Sequence, residues 1–222
     1  MIVVSAIFVD ELDQLRLQVD LMALRVGEAI DQAVAVLDAG DAEAASILLA
    51  SDDEIDALHV SLTERCYELL VRHQPVASDL RLVVSVIRVL GALERIGNLC
   101  LRIAKLVDDQ PLLESHPAVY QVIHELAQNV RARYRTVHAA WSSGDLAGLA
   151  ALADADPLEE FSGPLVERIL ELDGDDAVRV AMAAFVAGRS LDRVGDHADV
   201  IATRLRYLVT GNTTYLAEEV GS

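Results

Sequence analysis

Carboxylate side chains recur four residues apart in three stretches of this 222-residue chain, and a fourth stretch pairs a carboxylate with an amide at the same spacing. Residues at i and i+4 lie on one face of an α-helix, with their Cβ atoms about 5–6 Å apart. The four sets are Asp52 with Asp56, Glu94 with Asn98, Asp156 with Glu160 and the adjacent Glu159, and Asp192 with Asp196. Asp199 extends the last set by another turn. Oxygen ligands on facing helices suit hard cations, so a metal site is one interpretation of this spacing.

A second interpretation is an acidic helix surface balanced by water and arginines. Like charges at i and i+4 destabilise a helix by about 0.2–0.5 kcal/mol per pair, and carboxylates on packed helices require a counter-charge. Arg81, Arg95 and Arg193 are placed to supply part of it. The spacing leaves both interpretations open. It also allows a third, a helical scaffold whose carboxylates form only salt bridges.

Other catalytic patterns are weak in this sequence. Di-iron enzymes built on four helices use two Glu-x-x-His pairs, whereas this chain offers one Asp-x-x-His, from Asp56 to His59. It contains no glycine-rich phosphate loop of the Walker or dinucleotide type. His197 follows Asp196 and is more simply a surface or salt-bridged histidine than a phospho-acceptor. We therefore predict a protein that is not an enzyme, with a metal-dependent, hydrolase-like enzyme as the alternative.

The elements that position these carboxylates are predicted to be helices. Apolar residues recur at three- and four-residue spacing in six long stretches. The pattern predicts helices over residues 9–39, 41–73, 78–108, 117–143, 145–173 and 175–209. We expect Ser78 to be the N-cap of the third helix, residues 108–116 to form a linker, and residues 212–222 to form a frayed tail.

Two landmarks repeat in the same order along the chain. The run Leu-Asp-Ala-Gly-Asp-Ala at 37–42 resembles Trp-Ser-Ser-Gly-Asp-Leu at 141–146, and Leu-Glu-Arg-Ile-Gly-Asn at 93–98 resembles Leu-Asp-Arg-Val-Gly-Asp at 191–196. Since each half carries both landmarks, we predict an all-α fold of two tandem three-helix bundles. The first would span residues 1–109 and the second residues 110–222.

Charge and composition exclude several classes of function. Eighteen Lys and Arg oppose 36 Asp and Glu, and the net charge of −18 makes direct nucleic-acid binding unfavourable. Cys66 and Cys100 are too few for a disulfide framework and are expected to be reduced core residues, as in the cytosol. No apolar stretch reaches the roughly 20 residues of a membrane span, and residues 1–9 lack the basic start of a signal peptide.

Several of these motifs make the chain resemble the PhoU family. The resemblance rests on Arg-His-Gln-Pro-Val-Ala-Ser-Asp-Leu-Arg at 72–81, the hexapeptides at 93–98 and 191–196, and Tyr-Leu-Val-Thr-Gly at 207–211. It implies a cytoplasmic negative regulator of the phosphate-starvation response and of phosphate uptake. The implied partners are the ATPase of the phosphate ABC transporter and a sensor histidine kinase. The protein would be a homodimer and would reach the membrane only through these partners.

The resemblance also implies clusters of Mg, Mn, Fe or Zn on the paired acidic motifs. Carried onto this sequence, one site uses Asp52, Asp56, Glu94 and Asn98, and the other uses Asp192 and Asp196 facing Asp156 and Glu159 or Glu160. Asn98 stands where the family has Asp, which removes a charge and weakens the first site for hard cations.

Overall fold

The structure, a computed structural model, describes residues 6–153 and 157–221, with the side chains of 52, 151, 153, 157–162 and 218–221 left aside. Its helices are α1 (Ala6–Ala39), α2 (Ala42–Ala50), α3 (Asp52–His73), α4 (Ala77–Ala104), α5 (Gln110–Glu114), α6 (Pro117–Ser143), α7 (Ala147–Ala153), α8 (Pro157–Leu170), α9 (Ala177–Thr210) and α10 (Thr214–Gly221). A 3-10 turn covers Val107–Asp109. No strand occurs in the described ranges, and the all-α prediction is confirmed.

Four long helices form the centre of the molecule. Helices α1, α4, α9 and α6 each pack against the next, and α6 closes the ring against α1. Helix α3 packs on α1 and α4, while α8 packs on α6 and α9. The apolar faces of both halves contribute to one contiguous core, with Leu15 and Leu90 from the first half and Tyr134 and Val180 from the second. The division at residue 109 stays a prediction.

A Tyr-x-x-x-His sequence on α6, Tyr134 to His138, contacts the middle of α1 through both of its polar side chains. Tyr134 Oη donates a hydrogen bond to the carbonyl oxygen of Ala23 at 2.6 Å. His138 Nε2 lies 3.2 Å from a carboxylate oxygen of Asp20. Because Tyr134 is 2% exposed, its hydroxyl requires a partner inside the protein, and the α1 carbonyl provides it.

The same sequence occurs a second time, at the other end of the α1–α6 contact. Tyr120 Oη donates to the carbonyl oxygen of Asp38 at 2.9 Å, and His124 Nδ1 lies 2.7 Å from a carboxylate oxygen of Asp38. In both copies the two rings are 6.2 Å apart at an angle of 29°. Tyr120, near the start of α6, contacts Asp38 near the end of α1, whereas Tyr134, further along α6, contacts Ala23. The two helices therefore run antiparallel.

Both Gly-Asp landmarks are helix boundaries. Gly40 and Gly144 adopt φ angles of 61° and 71°, in the left-handed region that glycine enters without steric penalty. Asp41 then accepts hydrogen bonds from two backbone amides of α2 at 3.0 Å, and Asp145 accepts one from the first amide of α7 at 2.9 Å. Each landmark ends one helix and caps the next, as its sequence predicts.

The prediction of one helix over residues 41–73 is wrong, because the structure has two helices there, α2 and α3, on either side of Ser51. The Ser51 hydroxyl donates to the carbonyl oxygen of Leu48 at 2.8 Å, so it competes with continued helical bonding. The predicted fifth helix contains α7 and α8, and residues 154–156 between them lie outside the described ranges.

Three smaller boundary predictions also differ. The N-cap of α4 is Val76, in an extended conformation, and Ser78 lies inside the helix. The linker over 108–116 contains the short helix α5, and the tail expected to fray forms α10 instead. Asn212 supports α10 by accepting a hydrogen bond from the backbone amide of Thr214 at 3.0 Å.

The two cysteines are core residues. Cys66 and Cys100 are both buried and unpaired with each other. Burial raises the pKa of each thiol to about 12, so both stay protonated at neutral pH. Neither is a reactive nucleophile in the folded protein.

The His-Gln-Pro segment is anchored by a buried carboxylate of α1. Glu11, whose side chain is 13% exposed, accepts hydrogen bonds from Arg65 at 3.1 Å and Arg72 at 3.0 Å, and lies 2.6 Å from His73 Nε2. The His73 ring also lies 4.6 Å from that of Phe8. Burial alone would raise the pKa of Glu11, but the His73 hydrogen bond and the three positive partners outweigh it, and the pKa falls below 4.5.

We expect Glu11→Gln to remove a pH-dependent part of the stability. Because the pKa of Glu11 is lower in the folded than in the unfolded state, its contribution is present in full above the unfolded value of 4.5. It is lost as the pH falls through the folded pKa. Thermal melting of both proteins between about pH 3 and pH 7 should show a Tm difference that shrinks on acidification. A constant difference at all pH values would contradict the network.

Candidate functional site

Three of the predicted ligands meet in a narrow cleft between α3 and α4. Asp56 lines it from α3, and Glu94 and Asn98 line it from α4. The helices approach closely because Gly97 has no side chain: a Cβ there would lie 3.0 Å from Ile55 Cδ1. The fold therefore brings these three residues together, as the sequence predicts.

Within this cleft Asn98 serves Glu94 as a hydrogen-bond donor. Asn98 Nδ2 donates to Glu94 Oε1 at 2.5 Å. The amide offers a neutral carbonyl oxygen at most, and only Glu94 and the exposed Asp56 offer carboxylate oxygens. The described part of the first site fits a hard cation less well than a set of carboxylates would.

Asp192 and Asp196 lie one turn apart on α9, with side chains that are 17% and 32% exposed. Each is paired with the arginine three residues earlier: Arg189 contacts Asp192, and Arg193 Nη1 lies 3.2 Å from Asp196 Oδ2. Burial raises the pKa of Asp192, the charge of Asp196 adds to this, and the two arginines oppose it. A cation bound here would relieve the same repulsion, so this pair fits a metal better than the first site.

The remaining predicted ligands lie outside the described residues. Asp156 falls between the described ranges, and the side chains of Asp52, Glu159 and Glu160 are among those left aside. Among the described side chains, no group of three or more His, Cys, Asp or Glu is arranged to hold a metal. Each predicted site contributes only two described carboxylates, so both metal sites stay predictions.

Asp199 does not extend the acidic stripe. Arg133 on α6 donates from Nε to one oxygen of Asp199 at 2.7 Å and from Nη2 to the other at 2.8 Å. The Arg133 side chain is 9% exposed, so this two-point pair is desolvated on the arginine side. The spacing around Asp199 could not reveal a partner 66 residues earlier in the chain.

A groove at one end of the bundle was missed by sequence reasoning. It has a volume of about 650 Å³ and lies between α1, the start of α4 and the C-terminal ends of α6 and α9. Trp141 lines it together with Asp20, which accepts a hydrogen bond from the Ser142 hydroxyl. Its only sequence signal is the single tryptophan, because its walls come from four separate stretches of chain.

The fold and the paired acidic motifs define a class of all-α proteins with repeated carboxylate motifs on the helices of a central bundle. The sequence profile of the PhoU domain matches residues 19–107. A phosphate-specific transport system accessory protein PhoU homolog from Pseudomonas putida is 30% identical, over 94% of this chain and 82% of its own length. PhoU homolog 1 from Thermotoga maritima is 29% identical, over 92% of this chain and 89% of its own length. The chain belongs to the PhoU family.

Solved structures agree with this relationship. The crystal structure of PhoU from Pseudomonas aeruginosa superposes with a TM-score of 0.85 at 28% identity, covering 92% of this chain and 100% of that chain. The phosphate transport system regulatory protein PhoU from Streptococcus pneumoniae gives a TM-score of 0.80 at 25% identity, covering 92% and 98%. The similarity therefore includes both halves of the chain.

Proposed function

We propose that this protein is a negative regulator of phosphate uptake and of the phosphate-starvation response, and that it acts without catalysing a reaction. The observation that carries the proposal is the match, along 94% of the chain, to a relative named as an accessory protein of a phosphate-specific transport system. The described thiols support a non-enzymatic role, because both are buried and protonated. The expected partners are the ATPase of the phosphate ABC transporter and a sensor histidine kinase, which the protein connects as an adaptor.

We further propose that it works in the cytoplasm as a homodimer, and meets the membrane only through its partners. No helix among the described residues is long and apolar enough to cross a membrane. Exposed apolar side chains at the start of α9 support self-association: Val178, Met182 and Phe185 are 77%, 61% and 55% exposed. Contiguous exposed apolar side chains of this kind mark protein interfaces.

The test is a phosphate-starvation reporter, such as alkaline phosphatase activity, in a deletion strain grown in high phosphate. We expect constitutive reporter activity without the gene and repression when the gene is restored. Unchanged repression, with paralogues also deleted, would contradict the regulatory function. It would favour the metal-dependent enzyme that the acidic motifs suggested as the alternative.

The paired acidic motifs support a structural metal as part of this function. Asp192 and Asp196, with Asp156 and Glu159 or Glu160, would hold one site, and Asp52, Asp56 and Glu94 with Asn98 the other. Mg, Mn, Fe or Zn bound there would neutralise neighbouring carboxylates. The bound metal would stabilise the packing of α8 against α9 and of α3 against α4.

Replacing Asp192 and Asp196 together by Ala is expected to abolish metal at the second site, because both described oxygen ligands are lost. Metal content is measured by elemental analysis of the purified protein after incubation with Mg, Mn, Fe or Zn. The matched control replaces Asp13 and Asp31, two exposed carboxylates of α1, and should keep the wild-type stoichiometry. Equal metal content in all three proteins would show the ligand assignment to be wrong.

A further inference from the structure

Arginines follow one another at intervals of seven residues along α4. They are Arg81, Arg88, Arg95 and Arg102. Seven residues make almost two full helical turns and advance the helix by about 10 Å, so the four lie on one face over about 30 Å. Arg88, Arg95 and Arg102 are exposed. A row of positive charge on a protein with a net charge of −18 is opposite in sign to most of its surface.

Helix α9 runs antiparallel beside this row and adds to it. The Arg81 guanidinium packs against the C-terminal end of α9, with Cζ 3.5 Å from where a Cβ on Gly211 would lie. His197 of α9 is half-buried. Burial lowers its pKa, and the positive charges of Arg95 and Arg193 lower it further against the opposing charge of Asp196. Arg88, Arg95 and Arg193 therefore lie near His197, on one surface of the α4–α9 pair.

We call this surface the arginine face: Arg88, which already interacts with another group, Arg95 and Arg102 of α4, with Arg193 of α9. Arg193 is balanced by Asp196. In the part of the chain that the structure describes, no carboxylate forms an ion pair with Arg95. Its charge is available to a partner.

Gly91 lies in the middle of the arginine face. Glycine weakens the interior of a helix, so its presence there calls for a close approach by another group. At Gly97 that group is Ile55, but no heavy atom lies within 4 Å of the Cβ that Gly91 lacks. On the same face of α4, about two and three turns before Gly91, Val84 and Leu80 are 44% and 40% exposed. No described residue fills the space beside Gly91.

We infer that the arginine face is a docking surface for an acidic helix of a partner protein, which crosses α4 at Gly91. The inference rests on the proposed adaptor function and specifies the chemistry of the partner. Arg95 and Arg102, seven residues apart on α4, match carboxylates at heptad spacing on a second helix, with apolar contact at Val84 and Leu80. Arginine also pairs with carboxylates by two parallel hydrogen bonds.

A second copy of the chain is the less suitable occupant. A two-fold interface brings the same patch of both subunits together, so the arginine face would meet its own arginines. Like charges placed opposite one another at an interface are unfavourable. An acidic helix of another protein would bring opposite charges to the arginine face and avoid this repulsion.

The test is site-specific photo-cross-linking of the full-length protein in its own cells, with p-benzoylphenylalanine in place of Val84. We expect a cross-link to another protein whose cross-linked peptide, identified by mass spectrometry, is an acidic helical segment. Arg95→Glu and, separately, Gly91→Gln should each reduce the yield by about tenfold, through charge and through steric blocking. The control, Arg135→Glu on the opposite α1–α6 side, should leave it unchanged. Melting curves check that each variant is folded.

Every contrary result overturns the inference. These results are an absent cross-link, a cross-link to a second copy of the chain, or a yield insensitive to both Arg95→Glu and Gly91→Gln. The reporter strain separates this failure from failure of the adaptor function. If restoring the wild-type gene represses the reporter and no cross-link forms, only the docking surface is wrong. If the gene does not affect the reporter, the regulatory function is wrong whatever the cross-link.

Discussion

Asp199→Ala is expected to lower the free energy of unfolding by about 3 kcal/mol. The substitution removes the carboxylate that binds Arg133 at two points and leaves a guanidinium, 9% exposed, inside the α6–α9 contact. Breaking a buried pair from one side is costly because the remaining charge is desolvated. For a chain of this length the loss corresponds to a Tm decrease of about 6 to 12 °C.

Asp31→Ala provides the control, because Asp31 is also bound by an arginine of α6. Arg135 Nη2 lies 2.8 Å from one oxygen of Asp31 and 3.0 Å from the other, but both side chains are about half exposed. Exposed pairs contribute about 0–1 kcal/mol, so its Tm should stay within about 4 °C of the wild type. Equal effects of the two substitutions, measured by thermal or urea unfolding, would contradict the assigned difference in burial.

Gly97→Ala and Gly91→Ala are expected to change stability in opposite directions. Both add one methyl group inside α4, and both gain about 1 kcal/mol of helix propensity. At Gly97 the methyl group would lie 3.0 Å from Cδ1 and 3.3 Å from Cγ2 of Ile55, a branched side chain with little freedom to move. Overpacking of this kind costs about 1–3 kcal/mol, so the net effect is a loss of about 1 kcal/mol.

At Gly91 the methyl group meets no heavy atom within 4 Å, so the helix-propensity gain remains. We expect about 0.5–1 kcal/mol of stabilisation in the purified protein. Urea unfolding of the two variants and the wild type measures the difference directly. If Gly97→Ala were also stabilising, α3 and α4 would not be packed as closely as the structure places them.

Features with local causes could be predicted from the sequence. Gly40-Asp41 and Gly144-Asp145 identify helix boundaries because a left-handed glycine and a capping carboxylate act on their own backbone. The periodic apolar stripes of the long helices were equally readable. The meeting of Asp56 with Glu94 was expected from the resemblance to the PhoU family, which places both residues in one site.

Features that depend on distant partners could not be predicted. Asp199 has the spacing of the acidic stripe, but Arg133 binds it across the bundle. Ser51 fits equally well inside a helix, and nothing in the spacing around it marks the boundary between α2 and α3. The groove beside Trp141 needs parts of four helices at once.

The two Tyr-His contacts between α1 and α6 have a consequence for how the chain is made. Asp38 and His124 are 86 residues apart, and at roughly 5–20 residues per second a ribosome takes about 4 to 17 seconds to travel between them. For most of that interval the Tyr120 and Tyr134 hydroxyls, which donate hydrogen bonds to carbonyl oxygens of α1, have not yet been synthesised. The side of α1 that α6 covers stays in water until the second half is translated. A truncated product that ends before α6 is therefore a substrate for chaperones and proteases.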